Sequence, residues 1–257
     1  MAKIISIHSF RGGTGKSNIT ANVAVQIARQ GYRVGVVDTD INSPGIHVLF
    51  RMDEEDIDHA LNDYLWGRCE IEDAAYDVSA KVGKGEIILM AGGVYLISSS
   101  MRIGEITRIL RDGYDVGLLN QGFQTLIDRL ALDYLFIDTH PGVNEETLLS
   151  ITLSDLLIVI LRTDQQDFQG TAVTVDVANK LNVPHLCLVV NKAISIYDPV
   201  QLKKTVEQTY DAPVAAIIPL SEDVAALQSA AIFSLRYPDH PITREIQKIA
   251  TFIEAEI

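Results

Sequence analysis

Residues 4–17 read IISIHSFRGGTGKS, and this stretch decides the fold. An apolar strand, a glycine-rich turn and a Lys-Ser pair at a helix start form the context of a P-loop, whose backbone N–H groups surround phosphates. Lys16 is then expected to reach the β- and γ-phosphates, and Ser17 to bind Mg²⁺ through its hydroxyl. The stretch predicts a nucleoside triphosphate site built from Gly12, Gly13, Thr14, Gly15, Lys16, Ser17 and Asn18.

The remainder of the chain alternates short apolar runs with longer helical segments. Several of the short runs are apolar on every residue, which is typical of strands covered on both faces. The pattern predicts an α/β fold, with one doubly wound, mostly parallel sheet and helices on both faces. Strands are expected at residues 4–8, 33–37, 86–90, 134–137, 156–161, 185–190 and 214–218. Helices are expected at residues 16–30, 123–129, 145–152, 169–181, 199–209, 224–230 and 243–254.

The chain is interpreted as a single domain over residues 1–257, because no linker, fixed repeat or low-complexity segment interrupts it. Residues 53–122 are the least regular, and surface helices and loops are expected there. No apolar run reaches the ~18 residues of a membrane-spanning helix, and the amino-terminal run is too short for a signal peptide.

The charge and the cysteines restrict the partners. The formal net charge is −13 at pH 7, so DNA contact would need a local basic patch, and an anionic membrane would repel the chain. The two cysteines, Cys69 and Cys187, lie far apart, which argues against a zinc site or an iron–sulfur cluster built from one chain. Cys187 lies in an apolar run and is interpreted as a buried strand thiol in a reducing compartment.

The glycine-rich turn departs from the standard P-loop, since Phe10 stands where that motif has glycine and Arg11-Gly12-Gly13 follows. It resembles the deviant P-loop of the ParA/MinD family of partitioning ATPases, whose motif begins with a signature lysine at the position of Arg11. The resemblance implies that Arg11 crosses a dimer interface and contacts the partner subunit's ATP, a contact that the longer, forked arginine can also make. A solvated or intrachain arginine is the alternative interpretation.

Two further segments resemble the switches of that family. Residues 38–45 read DTDINSPG and residues 138–142 read DTHPG, each after an apolar strand. The resemblance implies that Asp40 orients the attacking water, that Asp38 supports the Mg²⁺ shell and that Asp138 holds Mg²⁺ through water. Either aspartate that ends a strand would, taken alone, be equally well explained as a loop cap.

The adenine base is expected to meet residues in the carboxyl-terminal part of the chain. Asn191 follows a predicted strand, and the resemblance implies that it pairs with the adenine ring; a polar turn is the alternative. Residues 218–221 read IPLS and resemble the loop that lines the base from the other side, which includes Pro219. The expected ligands are therefore ATP and Mg²⁺.

The surface that meets larger partners is less defined. Septum-positioning members of the family end in a basic amphipathic helix that lies on the membrane, whereas residues 249–257 read IATFIEAEI and are acidic, so membrane docking is disfavoured. DNA-partitioning members use a basic patch, although solvated charges on amphipathic helices are an equally good interpretation. The candidate cations are Lys203, Lys204, Arg236, Arg244 and Lys248.

The residues and the resemblance together predict a Mg²⁺-dependent ATPase that dimerises on binding ATP and hydrolyses it to ADP and phosphate. Its expected role is to position a cellular cargo, such as a plasmid, a chromosome or a protein organelle; the carboxysome-distributing ATPases are one such type. Branches of the superfamily with cluster cysteines near the switches, or with a close cysteine pair for metal insertion, do not match this chain.

The expected partners are a second copy of the chain, an adaptor or activating protein and non-specific DNA. The expected location is cytoplasmic, in association with the nucleoid. The alternative function is a nucleotide-dependent regulatory switch that binds a partner protein with little hydrolysis.

Overall fold

A computed structural model describes residues 2–82 and 92–257 of the chain. In these residues one sheet has the strand order β3-β4-β2-β5-β1-β6-β7-β8. Neighbouring strands are parallel except β3 with β4. The strands are β1 (Lys3–His8), β2 (Arg33–Asp38), β3 (Ala75–Asp77), β4 (Gly93–Ile97), β5 (Tyr134–Asp138), β6 (Leu156–Leu161), β7 (His185–Ala193) and β8 (Val214–Pro219).

Helices return the chain between the parallel strands, as parallel pairing requires. Two short 3₁₀ turns, Glu54–Asp56 and Ile71–Ala74, lie in the less regular region. The described helices are α1 (Lys16–Ala28), α2 (Ile46–Leu49), α3 (Leu61–Leu65), α4 (Ser79–Val82), α5 (Ile103–Asp112), α6 (Gly117–Arg129), α7 (Glu145–Leu153), α8 (Gln165–Lys180), α9 (Pro199–Tyr210), α10 (Glu222–Ala226), α11 (Phe233–Arg236) and α12 (Pro241–Glu256).

The sheet is buried on both faces. Ile158 and Ile160 of β6 pack in the same core as α1 and α12. Val159 and Leu161, which alternate with them along the strand, pack in a second core with α8 and α9. A third core, under α3 and α6, covers the β2–β5 side of that second face. Because successive strand residues point to opposite faces, the all-apolar runs are explained. The predicted doubly wound fold is confirmed.

The strand predictions differ from the structure mainly in the less regular region. Neither β3 nor β4 was predicted, because β3 has only three residues and β4 begins with glycine after another glycine. The strand predicted at residues 86–90 lies outside the described residues.

Three helix boundaries differ by four residues or more. Helix α6 begins at Gly117, six residues ahead of the predicted residue 123. Helix α8 begins at Gln165, ahead of the predicted residue 169, because the carboxylate of Asp164 caps its first turn by accepting from the backbone N–H of Asp167. The helix predicted at 224–230 is wrong in its second half. Helix α10 ends at Ala226, and Gln228 and Ser229 then have φ values of 50° and 59°, which no right-handed helix contains.

The strand order places the ends of β1, β2 and β5 side by side. Carboxyl ends of parallel strands lie at one edge of a sheet, where α/β proteins bind ligands. The glycine-rich turn after β1 therefore lies next to Asp38 and Asp138, which are register partners at the ends of β2 and β5. Within the described parts of the chain, no helix combines the length and apolarity needed to cross a membrane.

Candidate nucleotide-binding site

The turn between β1 and α1 exposes backbone N–H groups to an anion. Gly13 and Gly15 have φ values of 76° and 93°, a left-handed conformation that glycine adopts without strain. Gly15 precedes α1, where no described side chain caps the helix and no acidic residue lies in the first turn. Uncapped N–H groups and the helix dipole favour a phosphate at this position.

Lys16 begins the helix that follows this turn, and its side chain is only 7% exposed. Its Nζ atom is 3.4 Å from Oδ1 of Asp138, and the hydroxyl of Thr20 donates to the same oxygen at 3.1 Å. The other carboxylate oxygen of Asp138 is buried and has no hydrogen-bond partner among the described residues. Since buried polar atoms normally have a partner, this oxygen is free to accept from a cation's water shell.

Three carboxylates crowd this edge of the sheet. Asp38 accepts hydrogen bonds from the backbone N–H groups of Asp40 at 3.0 Å and Gly45 at 3.2 Å. Burial raises the pKa of Asp38 to about 8, and the negative charges of Asp138 and Asp40 act in the same direction. Lys16 offsets only part of this repulsion. The site therefore has an excess of negative charge that a divalent cation would neutralise.

These groups fit Mg²⁺ held in the manner of P-loop proteins. Mg²⁺ keeps several waters and binds through one or two protein groups together with substrate phosphates. Ser17 in the first turn of α1, the unpartnered oxygen of Asp138 and the carboxyl group of Asp38, which a bound cation would favour in its ionised form, are suited to that role. The described residues contain no cluster of three or more His, Cys, Asp or Glu side chains placed to hold a metal unaided, so phosphate and water would supply the remaining ligands.

The two switch segments meet at Asp40. Its Oδ1 atom accepts from the backbone N–H and the hydroxyl of Ser43, at 3.2 Å and 3.0 Å. The Nε2 atom of His140 lies 3.8 Å from the same oxygen, and Nδ1 of His140 is 2.6 Å from the carbonyl oxygen of Pro141. Because Nδ1 donates to that carbonyl, Nε2 is the nitrogen presented to Asp40. Asp40 is thus held at the edge of the phosphate site.

His8 supports the second switch from inside. It is buried at the end of β1, and its Nδ1 atom is 2.8 Å from the hydroxyl oxygen of Thr139. Burial lowers the pKa of His8 to about 3, and the charges of Lys16 and His140 act in the same direction. His8 is therefore a neutral structural residue.

Arg11 is paired within its own chain. Its Nη1 atom lies 3.3 Å from Asp164 and 3.5 Å from Asp167, and 41% of the side chain is exposed. Arg162 binds both aspartates as well, with Nε 2.7 Å from Asp167. The ring of Phe10 packs against Gly170 of α8, where a Cβ atom would collide with it. The rim of the loop therefore rests on the start of α8.

A cleft beside the loop fits a nucleotide base. Its volume is about 370 Å³. The amide of Asn191 donates to the carbonyl oxygen of Thr14 at 2.7 Å, and Nζ of Lys192 donates to the carbonyl of Gly13 at 2.8 Å. Pro219 and Leu220 line the same cleft. Asn191 and Pro219 therefore share one cleft beside the phosphate loop.

A buried lysine in a glycine turn, facing an aspartate at the end of the neighbouring strand, defines a P-loop nucleotide-binding protein. A family model described as ParA, NUBPL iron-transfer P-loop NTPase, matches residues 1–254, and the chain belongs to this family. The resemblance to the ParA/MinD family is confirmed.

Individual relatives agree with this assignment. An uncharacterized ATP-binding protein of Methanocaldococcus jannaschii is 26% identical over 97% of this chain and 87% of its own length. An iron-sulfur cluster carrier protein of Clostridium perfringens is 32% identical over 70% of this chain, which spans 60% of the carrier's length. The crystal structure of the cell division ATPase MinD from Pyrococcus furiosus has the same fold, with a TM-score of 0.81, 23% identity and full coverage of both chains.

The structure brings most of the predicted site residues to one edge of the sheet and also adds residues that the motifs did not indicate. Lys192 and Thr20 were missed, although a lysine directly after Asn191 and a hydroxyl one turn after Lys16 were visible signals. Among the candidate DNA contacts, Lys203 and Lys248 line a different groove, together with Glu245, and this groove shares Pro219 with the base cleft. Arg236 does not line that groove.

Proposed function

We propose that this protein is a Mg²⁺-dependent ATPase whose ATP-bound form is a dimer and whose hydrolysis of ATP restores the monomer. The observation that carries the proposal is the buried contact of Lys16 with Asp138 beside an uncapped helix start, next to Asp38, which accepts from the backbone N–H of Asp40. Lys16 neutralises phosphate charge, and the loop N–H groups fix the phosphate chain. Bound Mg²⁺ would neutralise the developing charge on the phosphates.

Asp40 is the residue proposed to orient the attacking water. Ser43 donates to one oxygen of its carboxylate through both its backbone N–H and its hydroxyl, so this oxygen is restrained in direction. Orientation of a water near the terminal phosphate contributes to the rate without contributing to ground-state binding. Asp40 therefore serves turnover rather than affinity.

Adenine is the proposed base. Among the described residues that line the base cleft there is no carboxylate, and a carboxylate is the group best suited to accept from the N1–H and exocyclic amine of guanine. Asn191 offers an amide, and the apolar wall of Ile218, Pro219 and Leu220 can cover a ring. The cleft thus favours ATP over GTP.

Dimerisation is proposed through the edge that carries the phosphate site. Val48, Met101, Ile103 and Val143 follow β2, β4 and β5 at that edge and are exposed. Exposed apolar groups concentrated at one site mark interaction surfaces. Arg11 lies on the same rim, and its exposed pair with Asp164 is weak enough to exchange for a phosphate of the partner subunit.

The proposed role is the positioning of a cargo in the cytoplasm, with an adaptor or activating protein. Cluster transfer is the function that the name of the Clostridium relative indicates for that relative. The present chain has two cysteines. Both are free thiols; Cys187 is buried and Cys69 is partly exposed. Burial raises the pKa of both thiols, which disfavours the thiolate that a cluster needs. Positioning is therefore preferred to cluster transfer.

The test is a turnover assay with Mg²⁺ and ATP or GTP, alone and with non-specific DNA. Release of phosphate from ATP and not GTP, lost in Asp40→Ala, would support the proposal. Tight ATP binding with no phosphate release under any of these conditions would instead identify a regulatory switch and contradict the ATPase assignment.

A further inference from the structure

The free edge of β8 forms the floor of an apolar groove. β8 is last in the strand order, and within the described residues only β7 pairs with it. Helix α9 packs in the core on one face of the sheet and α12 in the core on the other, so the edge lies between two helices. The groove has a volume of about 540 Å³ and is lined by Ala215, Ala216, Ile217 and Pro219 of the strand.

This edge is poorly protected against pairing. Edge strands normally carry charges or prolines, or are covered by another element. β8 reads VAAIIP and contains no charged residue, and its proline stands at the end. The backbone N–H of Val214 donates to Glu207 of α9 at 3.1 Å, which blocks the start of the strand. The two small alanines that follow both line the groove, and Ala215 is partly exposed.

Apolar side chains extend the groove towards solvent. Ile194, Tyr197 and Val200 line the same cavity, and all three are exposed, Val200 to 78%. Ile196, which lies between Ile194 and Tyr197 in sequence, is as exposed as Val200. Contiguous exposed apolar residues next to a free strand edge are characteristic of a surface that another polypeptide covers.

The rim of the groove is locally positive in an acidic chain. Lys203 of α9 and Lys248 of α12 line it, with Glu245 as the acidic lining residue. Each lysine has a pair one helical turn away on its own helix, Lys203 with Glu207 at 3.8 Å and Lys248 with Glu245 at 2.6 Å. Such exposed pairs contribute little and exchange readily. In a chain with a net charge of −13, an apolar groove lined by two lysines and one glutamate favours an acidic partner.

We infer that this groove receives an extended segment of a partner protein, which adds to the sheet as a strand beside β8. Main-chain hydrogen bonds would come from the strand edge, alternate apolar side chains would enter the groove, and Asp or Glu residues flanking the segment would reach Lys203 and Lys248. A nucleic acid fits less well, because the floor is apolar and phosphates gain nothing from an open strand edge.

The direct test is binding of the fluorescein-labelled peptide EEVTVTVTEE to the nucleotide-free protein, followed by fluorescence anisotropy. Two further peptides serve as controls: KKVTVTVTKK reverses the flanking charge, and EEVTPTPTEE cannot complete a strand ladder. The Glu-flanked peptide should bind, the Lys-flanked one more weakly, and the proline-containing one not measurably. Hydrogen exchange should show that the peptide slows exchange of backbone amides in β8.

Variants of exposed residues locate the site without endangering the fold. Val200→Glu places a charge in the groove and should weaken binding of the Glu-flanked peptide by about tenfold or more. Lys203→Glu should weaken binding of the same peptide by roughly fivefold. Val173→Glu and Lys180→Glu are matched controls on α8, since Val173 is exposed and Lys180 has its own pair with Asp176. These two should leave the dissociation constant unchanged.

Other outcomes would overturn the inference. These are absence of binding by EEVTVTVTEE, equal binding of all three peptides, or equal binding by Val200→Glu and the wild type. DNA retention that is lost in Lys203→Glu, without peptide binding, would assign the lysines to nucleic acid. A nucleotide-free dimer that Val200→Glu converts to a monomer would show a second copy of the chain in the groove. Because nucleotide is omitted, failure here leaves the proposed ATPase function unaffected.

Discussion

The substitution Asp38→Asn should make the nucleotide-free protein more stable while removing a group of the phosphate site. Asp38 has a folded pKa of about 8 against an ordinary value of 3.8, so the folded chain binds more protons than the unfolded chain between these values. The free energy of unfolding therefore falls as pH rises through this window. At pH 7 the difference corresponds to ~4 kcal/mol as an upper figure.

Asparagine resembles the protonated carboxyl in being neutral and in carrying a carbonyl oxygen and a donor group. Only one of the N–H groups of Asp40 and Gly45 can then keep an acceptor, because the amide NH2 group cannot accept, whereas the hydroxyl oxygen of a protonated carboxyl can. Asp138 and Asp40 share the repulsion with Asp38, so part of the gain belongs to the group of three carboxylates. The expected net gain is ~2–4 kcal/mol at pH 7 and becomes small near pH 4.

The assay is urea unfolding of wild type and Asp38→Asn between pH 4 and 8.5, without nucleotide or Mg²⁺. His8, whose pKa is lowered to about 3, makes stability fall as pH drops below ~6.5. That effect is common to both proteins and cancels in their difference. Asp176→Asn, at an exposed aspartate paired with Lys180, should change stability by less than ~0.5 kcal/mol. An Asp38→Asn protein no more stable than wild type at pH 8, or a difference independent of pH, would refute the reasoning.

Three further predictions concern the loop and the switch. Lys16→Ala should lower Mg·ATP affinity by ~100-fold or more in calorimetry, because a buried cation facing the phosphates is lost; near-normal affinity in a folded variant would contradict the P-loop assignment. Asp40→Ala should keep ATP affinity and slow phosphate release by ~10²-fold or more, and normal turnover would remove Asp40 from the mechanism. Gly15→Ala should destabilise the loop by ~1–3 kcal/mol and abolish nucleotide binding, since φ is 93° and the new Cβ would collide with Asn191; unchanged thermal stability and affinity would be inconsistent with this geometry.

The parts of the fold that could be predicted are those in which local pattern and tertiary context agree. β6, for example, is apolar on every residue because both faces of the sheet are covered there. The glycine turn is marked by its own residues, and Asn191 and Lys192 donate to its carbonyl oxygens in addition. β4 could not be predicted, since GVYLI gains its place by pairing with β2 and that pairing is not encoded locally.

In the candidate site, too, residues marked by a local pattern could be predicted, whereas contacts that depend on distant elements could not. Asp38 and Asp138 follow strands whose ends the topology must bring together, so sequence reasoning could place them near the loop. The intrachain pairs of Arg11 with Asp164 and Asp167 depend on where α8 starts, which the sequence prediction placed four residues too late. The contact of Lys192 with Gly13 depends on a left-handed residue with φ of 54° at the end of β7.

The measurement that tests the central proposal most directly is the mass of the ATP-bound protein by light scattering on the Asp40→Ala background, where slow turnover preserves the complex. The proposal predicts a particle of about twice the 28.3 kDa chain with ATP and a monomer with ADP. Addition of Arg11→Ala should leave ATP binding intact and return the particle to a monomer, whereas Arg11→Lys should retain the dimer. A monomer in saturating ATP would contradict the dimer, and an undiminished dimer in the Arg11→Ala, Asp40→Ala protein would show that Arg11 is not the bridging cation.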